Sequence, residues 1–510
     1  MIKVFINRTG YENDIYPLIK AFYPEVEIKI ITAPVNQSDI EEEQIHKAPL
    51  DRRNNLVEDK SKASDRTLHI NFTEECLHIS FVGEGISISE STELKSDLSK
   101  SQYKNSMKRF LYGILSTVTN KELPWGILTG IRPTKLVYEL LEQGENRAGI
   151  YDRMKTEYYC SEAKIDMSIH IAGREMELLD KLDYKNGYSL YVGIPFCPTT
   201  CLYCSFPSYS ITKYKDIVEE YLIALEKEIK FAATCFPNKR LTTVYFGGGT
   251  PTTLTAKQLD RILGLIRESF DFTHVKEFCV EAGRPDSITE EKLIILKKWG
   301  VDRISINPQS MQQKTLDLIG RKHTVEEVVS AFLLARKVGH ENINMDIIIG
   351  LPGENPEDLS DTLKQLRELN PESLTVHTLA LKRAARLNTQ KDDYKAISAS
   401  GVTKMLEATI EYAKENKYLP YYLYRQKNMA DNLENIGYAR YGKEGLYNIL
   451  IMEEKQTILA LGAGGMSKFV FHKENRIERV DNVKSVTDYI DRIDEMLSRK
   501  RIFLETNPQL

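Results

Sequence analysis

The chain has 510 residues, so at roughly 150 residues per domain about three domains are expected. Lys and Arg number 69 against 73 Asp and Glu, a net charge of −4, which excludes a chain held to nucleic acid by its overall field. The 42% hydrophobic and 28% charged residues fit a globular chain, and the seven sparse cysteines exclude a disulfide scaffold.

Residues 1 to about 32 read as a short mixed segment without the apolar core of a signal peptide. From about 35 to 66 the sequence is polar and charged, too poor in large apolar groups to offset the entropy of ordering, and a flexible insertion is expected. Leu68 to Ser89 alternates apolar and polar residues around a Glu-Glu break, the pattern of a β-hairpin. Residues 101–180 read as helical and contain the passage Pro124 to Lys135 (PWGILTGIRPTK). Its Gly, Pro and Thr suit either an anion-binding helix start or a turn followed by a capped helix.

From Tyr188 the rhythm changes. Short β-branched or aromatic runs at 189–195, 243–248, 276–282, 302–307, 342–350 and 373–380 alternate with helical patterns. Six strand–helix units predict a parallel sheet with right-handed crossovers, closer to a partial (β/α)6 barrel than to a complete eight-unit one. The fold class expected is therefore α/β. The expected domains are an N-terminal α+β region over 1–120 carrying the insertion, a helical connector over 121–185, the barrel over 186–398 and a C-terminal accessory domain over 399–510. No apolar run reaches the ~18 residues of a membrane span, so a cytoplasmic protein is expected.

Cys197, Cys201 and Cys204 lie just after the first barrel strand in YVGIPFCPTTCLYCSF, a C-x3-C-x2-C spacing. Structural zinc normally takes four protein ligands, whereas three thiolates on one loop suit a 4Fe–4S cluster with one iron left open. A zinc site or a chance spacing stays open on the residues alone. Gly247-Gly248-Gly249-Thr250 ends the second strand, where glycines let backbone approach a ligand closely. Glu281 ends the third strand, Gln309 and Arg321 follow the fourth, and Asp346 sits inside the apolar fifth, where a carboxylate needs a partner.

The cysteine loop after strand one of a partial barrel resembles the radical S-adenosylmethionine (SAM) enzymes. Tyr191-Val-Gly-Ile-Pro-Phe-Cys197 resembles their oxygen-independent coproporphyrinogen III oxidase group. The length, the long N-terminal region and Leu128-Thr-Gly-Ile-Arg-Pro-Thr-Lys135 resemble its HemZ-type branch. The resemblance implies that Cys197, Cys201 and Cys204 hold a 4Fe–4S cluster. It implies SAM contacts at Tyr191, Tyr203, Gly248, Gly249, Thr250, Glu281, Gln309, Arg321, Asp346, Ala380 and, more loosely, Met466. Glu281 would take the ribose hydroxyls and Arg321 a carboxylate through its two-pronged fork. No catalytic acid or base is implied.

The implied reaction is reductive cleavage of SAM to a 5′-deoxyadenosyl radical, which takes hydrogen from a propionate of coproporphyrinogen III. Loss of CO2 and an electron leaves a vinyl group, and two rounds give protoporphyrinogen IX, a step of haem biosynthesis. The electron would come from a low-potential flavodoxin- or ferredoxin-type donor. One departure stands out: after Cys204 and Ser205 the oxidases carry a further cysteine, and here Phe206 stands there, as in the sister branch of haem chaperones. The competing readings are therefore a haem carrier and a radical enzyme acting on another tetrapyrrole. Four propionates require a local positive patch, for which Lys382, Arg383 and Arg386, just past strand six, are the candidates, with Arg425 and Lys427 behind them.

Overall fold

The computed structural model describes residues 1–510 except 25, 33–56, 59–65, 75, 84, 95–96, 131, 205–207, 380–398 and 426–432. The charged stretch at 35–66 thus falls outside the described residues but for 57, 58 and Arg66. The chain divides into two compact units, Met1–Ile169 and His170–Leu510. Among the described residues no helix is long and apolar enough to cross a membrane.

In the first unit β1 (Ile2–Ile6) alternates buried Ile2, Val4 and Ile6 with half-buried residues, the period-2 signature of a strand with one covered face. It pairs in parallel with β2 (Ile28–Thr32) and with β3 (Arg66–Phe72). Helix α1 (Glu12–Phe22) buries Ile15, Leu18, Ile19 and Phe22, a stripe at helical spacing. The predicted hairpin is the first half of a three-stranded antiparallel meander, β3, β4 (Cys76–Gly83) and β5 (Ile86–Glu93). Helix α2 (Lys100–Thr119) starts from a Ser99–Gln102 capping box. Within the PWGILTGIRPTK passage Pro124–Ile127 form a turn with Trp125 buried, and α3 (Thr134–Glu142) starts from Pro133, which makes no side-chain cap bond.

The second unit holds the six predicted strands, as β6 (Gly187–Ile194), β7 (Arg240–Gly248), β8 (Glu277–Gly283), β9 (Arg303–Ile306), β10 (Ile343–Ile349) and β11 (Ser373–Thr378). Each is parallel to the next. The helices between them carry their own start signals: Thr255 with Gln258, Thr324 with Glu327 and Asn355 with Asp358 form capping boxes. The first of these helices, Ala256–Ser269, buries Leu259, Ile262, Leu263 and Ile266 on one face.

The sheet does not stop at six strands. β12 (Leu419–Tyr424) and β13 (Asn435–Ala439) continue it antiparallel beyond β11. β14 (Thr457–Leu461) lies parallel against β6, followed by β15 (Met466–Phe471) and β16 (Arg476–Asp481). The result is an open eleven-stranded sheet whose two edges come from the C-terminal stretch. The helix Leu446–Glu453 starts at Glu277, whose two carboxylate oxygens accept the amides of Leu446 and Tyr447 at 2.8 and 2.9 Å. A carboxylate there satisfies orphan amides and the positive end of the helix dipole.

Candidate active site

The ends of β6 and β7 build the cysteine loop together. The amides of Gly249 and Thr250 donate to the carbonyls of Ile194 and Phe196 at 2.8 and 2.7 Å, and Tyr209 donates to Pro195 at 2.9 Å. This close approach is why glycine is required: a Cβ on Gly249 would stand 2.6 Å from the Phe196 carbonyl oxygen, and Gly248 sits at φ +104°. Cys197, Cys201 and Cys204 all line one cavity of about 650 Å3. Thr250 Oγ1 donates to Cys197 Sγ at 3.6 Å, while burial pushes the Cys197 thiol up to about 11. Leu202 donates to Ile319 at 3.0 Å, which fastens the far end of the loop.

The side chains pointing into the cavity follow strand parity. Tyr191, Tyr245, Glu281, Asp346 and His377 all line it. Tyr245 donates to Glu281 Oε1 at 2.5 Å, and burial pushes the Glu281 carboxyl up to about 7. Burial also pushes Asp346 up, but His377 (3.8 Å), Asn344 (2.7 Å) and Thr375 outweigh it and leave the carboxyl below its ordinary value. This supplies the partner that a carboxylate inside an apolar strand needs. Tyr191, Tyr245 and Tyr447 stack, with ring centroids 4.4 to 6.3 Å apart.

Gln309 adopts φ +70°, a conformation rare outside glycine, and is held there because its amide donates to Asp346 and its carbonyl accepts from Ile348. Arg321 donates to the Asn307 carbonyl at 2.5 Å and to Tyr203 Oη at 3.1 Å. Each terminal nitrogen spends one of its two N–H donors on these bonds, so the guanidinium keeps further donors for a carboxylate, Nε among them. Asn307 Oδ1, Gln309 Oε1 and Arg321 Nε are buried with no partner. Leaving such atoms unmade costs roughly 1–3 kcal/mol each, so acceptors and a donor gathered around one cavity fit a ligand bearing both amino and carboxylate groups. Among the described residues no three Cys, His, Asp or Glu side chains converge on a single ion. Three thiols on one loop that line one cavity fit a cluster of several irons with one iron left open.

Of the residues singled out in the sequence, Tyr191, Cys197, Cys201, Tyr203, Cys204, Gly248, Gly249, Thr250, Glu281, Gln309, Arg321, Asp346 and Met466 line this one cavity. Ala380, Lys382, Arg383, Arg386, Phe206 and Lys427 lie outside the described residues, and Arg425 is buried directly after β12. Sequence reasoning missed Tyr245, Arg284, Asn307 and His377, which also line it. Tyr245 stands opposite Tyr191 in the register of β7 on β6, so strand parity was the available signal there.

Residues 191–366 match the Radical SAM superfamily. The oxygen-independent coproporphyrinogen-III oxidase-like protein HemZ of Bacillus subtilis is 41% identical over 449 residues, 86% of this chain and 90% of its own length. The chain belongs to this oxidase-like family of radical SAM enzymes. The family's cofactors are a 4Fe–4S cluster and SAM, which the three thiols and the unpartnered polar atoms fit. Two further relatives match a shorter stretch. The heme chaperone HemW of Bacillus subtilis is 39% identical over 38% of this chain and 51% of its own, and the oxygen-independent coproporphyrinogen III oxidase of Salmonella typhimurium is 35% identical over 38% and 42%. The solved coproporphyrinogen III oxidase (HemN) of Escherichia coli superposes with a TM-score of 0.50 at 26% identity, over 63% of this chain and 73% of its own.

Proposed function

We propose that the chain oxidatively decarboxylates coproporphyrinogen III to protoporphyrinogen IX without oxygen. The observation that carries this reading is the continuity of the cavity. It runs from the three cysteines past Glu281 and Asp346 to Tyr422, Tyr424 and Tyr447, so a cofactor and a second, aromatic-faced ligand share one space. When bound, the cluster and SAM supply a one-electron cleavage that generates a hydrogen-abstracting radical.

The chain's own groups then have distinct tasks. Cys197, Cys201 and Cys204 hold the cluster. With the Gly249 and Thr250 amides committed to the cysteine loop, the glycine triplet meets the amino end of SAM through carbonyl oxygens. Arg321 Nε meets its carboxylate, and the second oxygen of Glu281 takes the ribose hydroxyls. Tyr191, Tyr203, Gln309 and Asp346 line the cofactor's sides, with Met466 at its rim and Ala380 a further contact. Stacked Tyr191, Tyr245 and Tyr447 keep water from the reacting centre. Lys382, Arg383 and Arg386 grip the propionates that do not react. Each round removes one hydrogen atom, one CO2 and one electron from the substrate, the last passing to an acceptor. A flavodoxin- or ferredoxin-type donor serves the cluster in the cytoplasm.

The match to HemW over the barrel supports a second reading, a carrier that binds haem and transfers it. Anaerobic incubation with coproporphyrinogen III, SAM and a reductant separates the two. Protoporphyrinogen IX found by mass supports decarboxylation, whereas tight haem binding with no loss of CO2 supports carriage.

A further inference from the structure

Beside the cysteine loop sits a buried cation to which the proposed reaction gives no task. Arg284, just after β8, is 3% exposed. Its Nε and Nη2 donate to the two carboxylate oxygens of Asp286 at 3.0 and 2.6 Å. Its Nη1 donates to the carbonyl and hydroxyl oxygens of Thr199, between Cys197 and Cys201, at 3.1 and 2.5 Å, and lies 4.0 Å from Cys201 Sγ. Thr199 in turn donates to the Gly320 carbonyl at 3.2 Å. A guanidinium never loses its proton in a protein, and burying one is costly unless every prong has a partner. Here one edge of the fork is anchored on a carboxylate two residues away, and the remaining nitrogen reaches into the loop. At Cys197 the direct contact is the neutral hydroxyl of Thr250, and the Arg284 charge acts there only from a distance.

We infer that Arg284 is a positioning residue for the family's cluster: its fork orders the loop between Cys197 and Cys201 before iron arrives, and its charge beside the Cys201 sulfur raises the cluster's reduction potential. Reduction adds negative charge to the site, and a fixed neighbouring cation favours the reduced form; net charge and hydrogen bonds to sulfur are the terms that set such potentials. The inference rests on the cluster occupying the three cysteines, and a wild-type chain that took up no iron would remove that basis separately.

The test uses the full chain, reconstituted anaerobically with iron and sulfide, without SAM or tetrapyrrole. Iron uptake is followed in time, and the midpoint potential is read by spin-resonance titration. Arg284→Met is expected to load at least about tenfold more slowly. At the wild-type midpoint its ratio of reduced to oxidised cluster is expected to fall about tenfold, equivalent to ~59 mV for one electron. Arg284→Lys keeps the charge without the planar fork, so it is expected to load slowly yet retain the wild-type potential. Thr199→Val removes one acceptor of Arg284 together with the bond to the Gly320 carbonyl and leaves Arg284 in place; slow loading with an unchanged potential is expected there too, and it serves if Arg284→Met does not fold. Wild-type loading by both Arg284→Lys and Thr199→Val overturns the positioning role. A wild-type midpoint in Arg284→Met overturns the electrostatic one.

Discussion

At the cysteine end of the cavity, Asn307 Oδ1, Gln309 Oε1 and Arg321 Nε are buried without partners, and Glu281 is pushed up to about 7 by its burial. At the aromatic wall the polar atoms mostly have partners. Tyr424 lies 3.4 Å from His377 Nδ1, Lys468 donates to Glu454 at 3.0 Å, and Asn435 Oδ1 accepts from the Thr378 amide, leaving Asn435 Nδ2 without a partner among the described residues. The difference teaches what each end is built to receive. The first stores unsatisfied hydrogen bonds that a polar, charged ligand completes. The second offers faces of rings already tied down, suited to a large ring system whose charges lie at its margins.

Removing a cysteine should break the contrast most completely. Cys197→Ala is expected to lose both the brown colour and SAM cleavage, where the wild type, purified anaerobically, carries about four iron and four sulfide per chain. Metal analysis and a cleavage assay on the same preparation check this.

Next come the polar contacts. Glu281→Ala and Arg321→Ala should each keep the cluster and weaken SAM binding by roughly ten- to hundredfold, the ~1.5–3 kcal/mol of a charge-assisted contact. Arg321 also braces Tyr203 and the Asn307 carbonyl, so its loss is expected to cost more than that of Glu281. Calorimetric titration decides, and wild-type affinity in both would make these residues structural.

The substrate end should respond separately. In the double variant Lys382→Ala/Arg383→Ala, the apparent affinity for coproporphyrinogen should fall about tenfold while SAM cleavage uncoupled from substrate persists. Were the two side chains merely solvated surface, turnover would stay within about twofold, as surface changes rarely exceed ~0.5 kcal/mol.

The smallest effect is a pH dependence. Burial raises Glu281, so below about 7 it is protonated and cannot accept both ribose hydroxyls. Hydroxyl donors favour the carboxylate, so SAM binding releases a proton, and affinity should rise with pH through about 7 and level off above it. In Glu281→Gln this rise should vanish.

Much of the barrel was legible because β-branched runs and capping signals each specify their own element: DIIIG gives a strand, and Thr324 with Glu327 starts a helix, whatever surrounds them. The cysteine spacing was legible for the same local reason. Three features needed the fold. The C-terminal strands have no strand–helix rhythm, and their place on both edges of the sheet depends on partners far away, β14 on β6 and β13 on β11. Gln309 takes a left-handed conformation only because β10 holds it from both sides. Arg284 reads as one more charge in CVEAGRP until Asp286 and Thr199 are brought around it. The second turn of the meander does carry a local signal in its glycines, with Gly85 at φ +74°.

The central claim, that the SAM-derived radical reaches a propionate arm, is tested most directly with coproporphyrinogen III deuterated on the propionate carbon next to the ring. The account predicts 5′-deoxyadenosine carrying one deuterium, formed together with a product lacking two carboxyl groups. Unlabelled 5′-deoxyadenosine with the tetrapyrrole recovered intact would contradict it.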